Sequence, residues 1–192
     1  MDGNISPPKI MDGNTSPPKK INATCIGKWC PASLKAMNVV GFGIRAGVVP
    51  YIPPTNTEHG KVLFGTKKGK YTDFGGGCKI NQKERPFDCA QREFNEESLG
   101  VVNVNPLNIT HILVTGKKAP HQIILMIAVT EEDLDNVEND FMLARRRVRK
   151  SELEGVNILT ISTLKKTDKT ELSESLYKVR HAIERIISRK GR

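Results

Sequence analysis

Three carboxylates stand within five residues at Glu93, Glu96 and Glu97, in the run Arg92-Glu93-Phe94-Asn95-Glu96-Glu97. On a helix, residues three and four apart share a face, so these acids project together within one turn. Left unneutralised, carboxylates that close repel one another and weaken the helix. A solvated acidic face is one reading of such a cluster. The neighbouring residues favour another. Phe87, Ala90 and Phe94 form an apolar stripe at helical spacing, which packs the helix on a core and holds its acidic face in place. Pro86 suits the first turn of that helix, where its missing N–H costs nothing. Upstream, Gly75-Gly76-Gly77 allows close backbone approach, and its carbonyls are further hard oxygen donors. Carboxylates clustered beside a backbone carbonyl are the donor set that Mg²⁺ or Mn²⁺ takes, with a phosphate completing the shell.

The elements that must position these residues read as strands and helices. Val39 to Ile44 and Val48 to Ile52 are β-branched and aromatic runs, and Lys61 to Gly65 is a third strand after the Pro/Asn turn of 53–57. Lys67-Lys68-Gly69-Lys70 then leads into Tyr71 to Phe74, a short strand entering the glycine loop. After the acidic helix, Val101 to Val104 reads as a strand start. Ile109 to Thr115 and Gln122 to Val129 read as two strong strands joined by a hairpin loop. Residues 131–140 carry six acids and 145–150 five bases, an exposed helix or loop that pairs charges internally; Val156 to Ile161 is strand-like. Asp168 and Glu171 have the spacing of a capping box. Beyond them Leu172, Leu176, Val179, Ile183, Ile186 and Ile187 recur as an amphipathic closing helix. The sum is an α+β architecture, a mixed sheet between helices.

At 192 residues the chain suits one domain with an extension. Residues 1–20 are a tandem repeat, MDGNISPPKI then MDGNTSPPKK, identical at eight of ten positions. A polar, Pro-rich decamer buries no core, so this is expected to be a disordered extension. Residues 21–37, with the single tryptophan Trp29, are a lead-in, and 38–192 form the domain with a basic C-terminal helix. No apolar run approaches the roughly 18 residues of a membrane span and no signal segment follows Met1, so a soluble, cytoplasmic protein is expected. Cys25, Cys30, Cys78 and Cys89 include no C-x-x-C pair and read as free thiols. The net charge of +9 is uneven: residues 145–192 hold 14 Lys/Arg against 6 Asp/Glu, a balance of +8. Basic charge at one end suits a polyanionic partner as well as an ordinary charged surface.

The acidic run and what precedes it resemble the Nudix hydrolase signature, G-x5-E-x7-R-E-U-x-E-E-x-G-U, where U is apolar. Glu84 stands eight residues before Arg92, followed by Glu93, Phe94, Glu96 and Glu97. Both glycines are out of step by one. Cys78 stands at the first, with Gly77 before it, and Leu99 at the last, with Gly100 after it, as if one residue were inserted near each end. The resemblance implies an α/β/α sandwich and a hydrolase that cleaves a pyrophosphate bond in a nucleoside-diphosphate-linked substrate. It implies Mg²⁺ or Mn²⁺ on Glu93, Glu96, Glu97 and the carbonyl of Gly77, with Gly76 the alternative for that carbonyl. Arg92 and Glu84 would be supports, Arg92 pairing with Glu96 and Glu84 orienting Arg92. A basic residue on the substrate side is to be sought among Arg45, Lys67, Lys68 and Lys70, with Arg45, Lys68 and Lys70 preferred. Glu152 or Glu154 would supply a further acid, while His111 and His121 read as structural or solvated. A shorter likeness, DFGGG followed by REFNEE, is to the mRNA-decapping Nudix enzymes of large DNA viruses, which implies capped RNA and a host cytoplasm. Small nucleotides such as dinucleoside polyphosphates, ADP-ribose or coenzyme A, inositol pyrophosphates, and a non-catalytic RNA-binding module of the same fold are the alternatives.

Overall fold

Apolar residues alternate along the central strands, so both faces of one sheet are buried. The computed structural model describes residues 22–26, 44–116 and 121–188. Its eight strands are β1 (Asn22–Ile26), β2 (Arg45–Ile52), β3 (Lys61–Lys67), β4 (Lys70–Thr72), β5 (Phe74–Gly77), β6 (Ile109–Thr115), β7 (Gln122–Ala128) and β8 (Gly155–Thr160). They form one sheet in the order β1-β6-β7-β2-β3-β4, with β5 paired to β2 and β8 to β3. The sheet is mixed: β1 runs parallel to β6 and β2 to β7, and the other pairings are antiparallel. Four helices cover it: α1 (Pro86–Ser98), α2 (Val137–Arg147), α3 (Ile161–Lys166) and α4 (Glu174–Ser188).

On one face, Ala46, Val48, Leu63, Leu125 and Ile127 pack with Cys89, Ala90 and Phe94 of α1 and with Val137 and Phe141 of α2. On the other, Val49, Val62, Phe64, Ile124 and Met126 pack with Leu164 of α3 and with Leu176, Val179 and Ile183 of α4. Successive residues of β2, β3 and β7 thus feed two separate cores, and the fold is the α+β sandwich expected. Among the described residues no helix is long and apolar enough to cross a membrane.

Several expectations about local structure change. Val101 to Val104 is not a strand: Val102 is buried, but the segment runs straight to a 3-10 turn at Pro106–Asn108. Proline has no N–H to give a ladder, and this one opens the turn instead. The three glycines are not a loop but make up most of β5. The capping box at Asp168 and Glu171 is present, yet it closes a 3-10 turn at Lys169–Glu171, and α4 starts only at Glu174. The acidic and basic run after residue 131 contains a real helix, α2, anchored by buried Val137 and Phe141. A short helix, α3, follows β8 directly, with the Thr160 side chain accepting from the Thr163 N–H at its start. The tandem repeat, Trp29, Cys30, residues 39–43 and most of the 116–121 loop lie outside the described residues.

Candidate active site

The acidic helix is placed by glycines. β5 pairs antiparallel with β2, Gly75 opposite Gly47 and Gly76 opposite Ala46. A Cβ on Gly75 would meet the Ala46 carbonyl oxygen and the Gly47 Cα at 2.5 Å, and one on Gly47 would meet the Asp73 carboxylate at 2.2 Å. A Cβ on Gly76 would sit 2.5 Å from the Glu93 carboxylate, whereas Gly77 has open space around it. Strand backbone and carboxylate therefore touch at Gly76 with no side chain between. At its other end α1 stops at Leu99 (φ 56°), followed by Gly100 (φ 72°), both left-handed. Leu99 occupies the place of the signature's last glycine, a conformation that costs a non-glycine residue about 1–2 kcal/mol. Its side chain packs on the core, which offsets that strain.

Arg92 ties the site together. Its Nε and Nη2 donate to the two oxygens of Glu84 at 2.8 and 3.1 Å, a fork-to-fork pair. Its Nη1 donates to Glu93 at 2.7 Å and more loosely to Glu96 at 3.3 Å, and its Nη2 also reaches the Gly77 carbonyl at 3.2 Å. Glu84 accepts from the Lys79 N–H as well, at 2.7 Å. The hydrogen bonds from Arg92 hold the Glu84 carboxyl below its ordinary range, and those to Glu84 hold the guanidinium charged against partial burial. Arg92 thus bridges the strand that precedes the helix to two of its three carboxylates. The Gly77 carbonyl is taken by this clamp. The Gly76 carbonyl has the Cys89 thiol at 3.8 Å.

Glu97 is the buried member of the set, 6% exposed. Its oxygen accepts from the Gly75 N–H at 2.6 Å. Burial pushes its carboxyl up to about 7; the Gly75 hydrogen bond works against that, and the charge of Asp73 works with it. Asp73, wholly buried, is neutralised by Arg45 and accepts from the Ser175 hydroxyl at 2.8 Å. Arg45 also donates to the Gly75 carbonyl at 2.7 Å. Burial opposes the Arg45 charge, but Asp73, Glu97 and Glu93 outweigh it and keep the guanidinium protonated. Nothing in the local pattern around Asp73 marks it as the partner of Arg45, 28 residues away.

The three carboxylates form one wall of a cleft of about 790 Å³. The same cleft is lined by the C-terminal end of α2 and the segment after it: Met142, Arg145, Arg146, Val148, Arg149 and Lys150. Arg147 is not among the lining residues. Glu152 lines this cleft and is paired with Lys67. Glu154 instead accepts from the backbone N–H groups of Lys68 and Gly69, at 3.0 and 3.2 Å, and stabilises the β3–β4 turn. Lys68 and Lys70 are exposed at that turn and line none of the clefts described here. Arg45, Lys67 and His121 line a second, smaller cleft. His111 lies on β6, its Nδ1 2.9 Å from the Thr110 hydroxyl, against the edge of Tyr51. Cys78 and Cys89 are free thiols.

Among the described residues no three His, Cys, Asp or Glu side chains form a ready-made metal cage. Mg²⁺ does not need one: it is commonly held by one or two carboxylates with water and substrate phosphate. Glu93, Glu96 and Glu97 on one wall, with bare backbone in contact with Glu93 at Gly76, suit such a partial shell.

No family model and no curated protein matches the chain. Among solved structures it is similar to a NUDIX-family hydrolase from Clostridium perfringens, with TM-score 0.45 and 14% identity over 77% of this chain and 99% of that one. It is also similar to a mutT/nudix family protein from Listeria innocua, with TM-score 0.44 and 15% identity over 75% of this chain and 95% of that one. Likeness at this level carries no weight for activity.

Proposed function

We propose that this protein is a Nudix-type hydrolase that cleaves a pyrophosphate bond with Mg²⁺ or Mn²⁺, and that its substrate is the capped 5′ end of an RNA. The observation that carries the reading is that a single cleft is lined both by Glu93, Glu96 and Glu97 and by Arg145, Arg146, Arg149 and Lys150. Acid alone would repel a polyphosphate, and base alone would bind it without chemistry. Together they suit a phosphate chain held by the bases and cut beside the acids.

Glu93, Glu96 and Glu97, with the carbonyl of Gly76 or Gly77, would hold the ion. Bound there, it supplies Lewis-acid neutralisation of the diphosphate oxygens. The rest falls to the chain's own side chains. Arg92, locked by Glu84, fixes the rotamers of Glu93 and Glu96. Glu97, buried and accepting from the Gly75 N–H, is held in place beside them. Arg145, Arg146, Arg149 and Lys150 orient the phosphates by charge.

The test is hydrolysis of a 5′-capped RNA against the free cap dinucleotide at rising salt. If the basic wall grips RNA phosphates, the capped RNA is the better substrate at about 50 mM salt and its advantage shrinks by about 200 mM as counterion release is lost. Changing Arg145, Arg146 and Arg149 to Gln brings the RNA down to the dinucleotide's rate. Equal rates at low salt, or a small nucleotide such as ADP-ribose outpacing RNA, would move the protein to nucleotide housekeeping.

A further inference from the structure

Among the described residues, Glu97 is the one that lines both the large cleft and a second cleft of about 430 Å³. The two are joined a second time by an ion pair, since Lys67 of the small cleft is bound to Glu152 of the large one. Their linings differ in kind. The large cleft combines four basic side chains with Met142 and Val148. The small one has no aliphatic or benzenoid side chain among the described residues, and offers Lys67, Lys178, Gln122 and the hydroxyls of Ser173 and Ser175. Much of this set is already engaged: Arg45 is held by Asp73 and the Gly75 carbonyl, Gln122 Nε2 donates to the Ser175 carbonyl, the Ser175 hydroxyl donates to Asp73, and the Ser173 hydroxyl lies 2.8 Å from that of Ser175. Lys178 differs. Its side chain is half-exposed and its partner, Glu174, is a more exposed carboxylate one turn away, so it is the cation most easily redirected to a ligand.

From this geometry we infer that the substrate spans both clefts. Its phosphate chain lies along the large one, the cleaved linkage lies at Glu97, and a compact hydroxyl-rich end group, a nucleoside held through its sugar, enters the small one, with Lys178 setting specificity for it. This rests on the pyrophosphate-hydrolase reading and adds where the end group goes. The small cleft is within the size range of small-molecule sites. An extended polyanion would find few free cations there, since Arg45 and Lys67 are paired with Asp73 and Glu152.

The test uses GpppG as a substrate with an end group and inorganic triphosphate as a competitive inhibitor without one. Lys178→Ala should raise KM for GpppG about fivefold with kcat unchanged, and leave the inhibition constant of triphosphate where it was. Lys178→Met, which keeps the length of the side chain, should behave the same. Equal weakening of GpppG and triphosphate, or of neither, would overturn the assignment. If the wild-type chain hydrolyses no pyrophosphate substrate, the proposed function falls by itself. Calorimetric binding of GpppG and of triphosphate, compared between wild type and Lys178→Ala, then still decides this inference by the same difference.

Discussion

Replacing Glu97 with glutamine should stabilise the metal-free protein at alkaline pH. Burial lifts the Glu97 carboxyl from its ordinary 4.5 to about 7. Between those values the folded protein keeps a proton that the unfolded chain has released. Stability therefore falls as pH rises through this window, and the loss is complete above about pH 7. At about 1.4 kcal/mol per pH unit, the burden of the ionised form is roughly 3 kcal/mol. Glutamine keeps the shape and an oxygen to accept the Gly75 N–H, but brings no charge to desolvate. Glu97→Gln should therefore be about 2–3 kcal/mol more stable than wild type at pH 8 and nearly equal to it at pH 5. For a chain of this size that is a rise of roughly 4–12 °C in Tm. Thermal unfolding at the two pH values in EDTA measures it. A variant less stable than wild type at pH 8, or one with the same advantage at both pH values, would refute the account of Glu97 as a buried carboxylate held ready to ionise.

Two further substitutions probe the glycines. Gly76→Ala places a methyl 2.5 Å from the Glu93 carboxylate and should cut activity by about tenfold or more, while Gly77→Ala, with open space around it, should stay within about twofold of wild type; comparable losses in both would show that Gly76 is not the contact that matters. A chain starting at Ile21 should match the full chain in Tm and in activity, because a polar, Pro-rich repeat is usually unanchored; a drop of several degrees would show that residues 1–20 pack on the domain.

Much of the site could be read from sequence because it is local. Glu84, Arg92, Glu93, Glu96 and Glu97 lie on one helix and the turn before it, so spacing alone decides which of them share a face. The central strands were equally legible, since a residue at each second position must meet a core. What spacing could not show was long-range. The arginine run after residue 145 read as a basic segment without an address; only the docking of Val137 and Phe141 brings it to the cleft that the acids line. Arg45 was a candidate for the substrate side on the family resemblance; its partner Asp73 becomes visible only when β2 and β5 pair. The glycine run read as a loop because glycine weakens strands in general. Here the bare backbone is what lets β5 fit between β2 and the carboxylate of Glu93. Val101 to Val104 shows the opposite error, β-branched residues used for burial without a ladder.

The central claim, that the acidic wall of the large cleft hydrolyses pyrophosphate, is tested most directly by product analysis. GpppG, capped RNA, ADP-ribose and diadenosine polyphosphates are incubated with wild type, Glu93→Gln and Glu96→Gln, in Mg²⁺, in Mn²⁺ and in EDTA. The account predicts cleavage at a pyrophosphate linkage of at least one substrate, dependent on the ion and slowed about 10²-fold or more in both variants, with Tm within a few degrees of wild type. Cleavage at wild-type rate by the two variants, or no cleavage of any substrate with either ion, would contradict it.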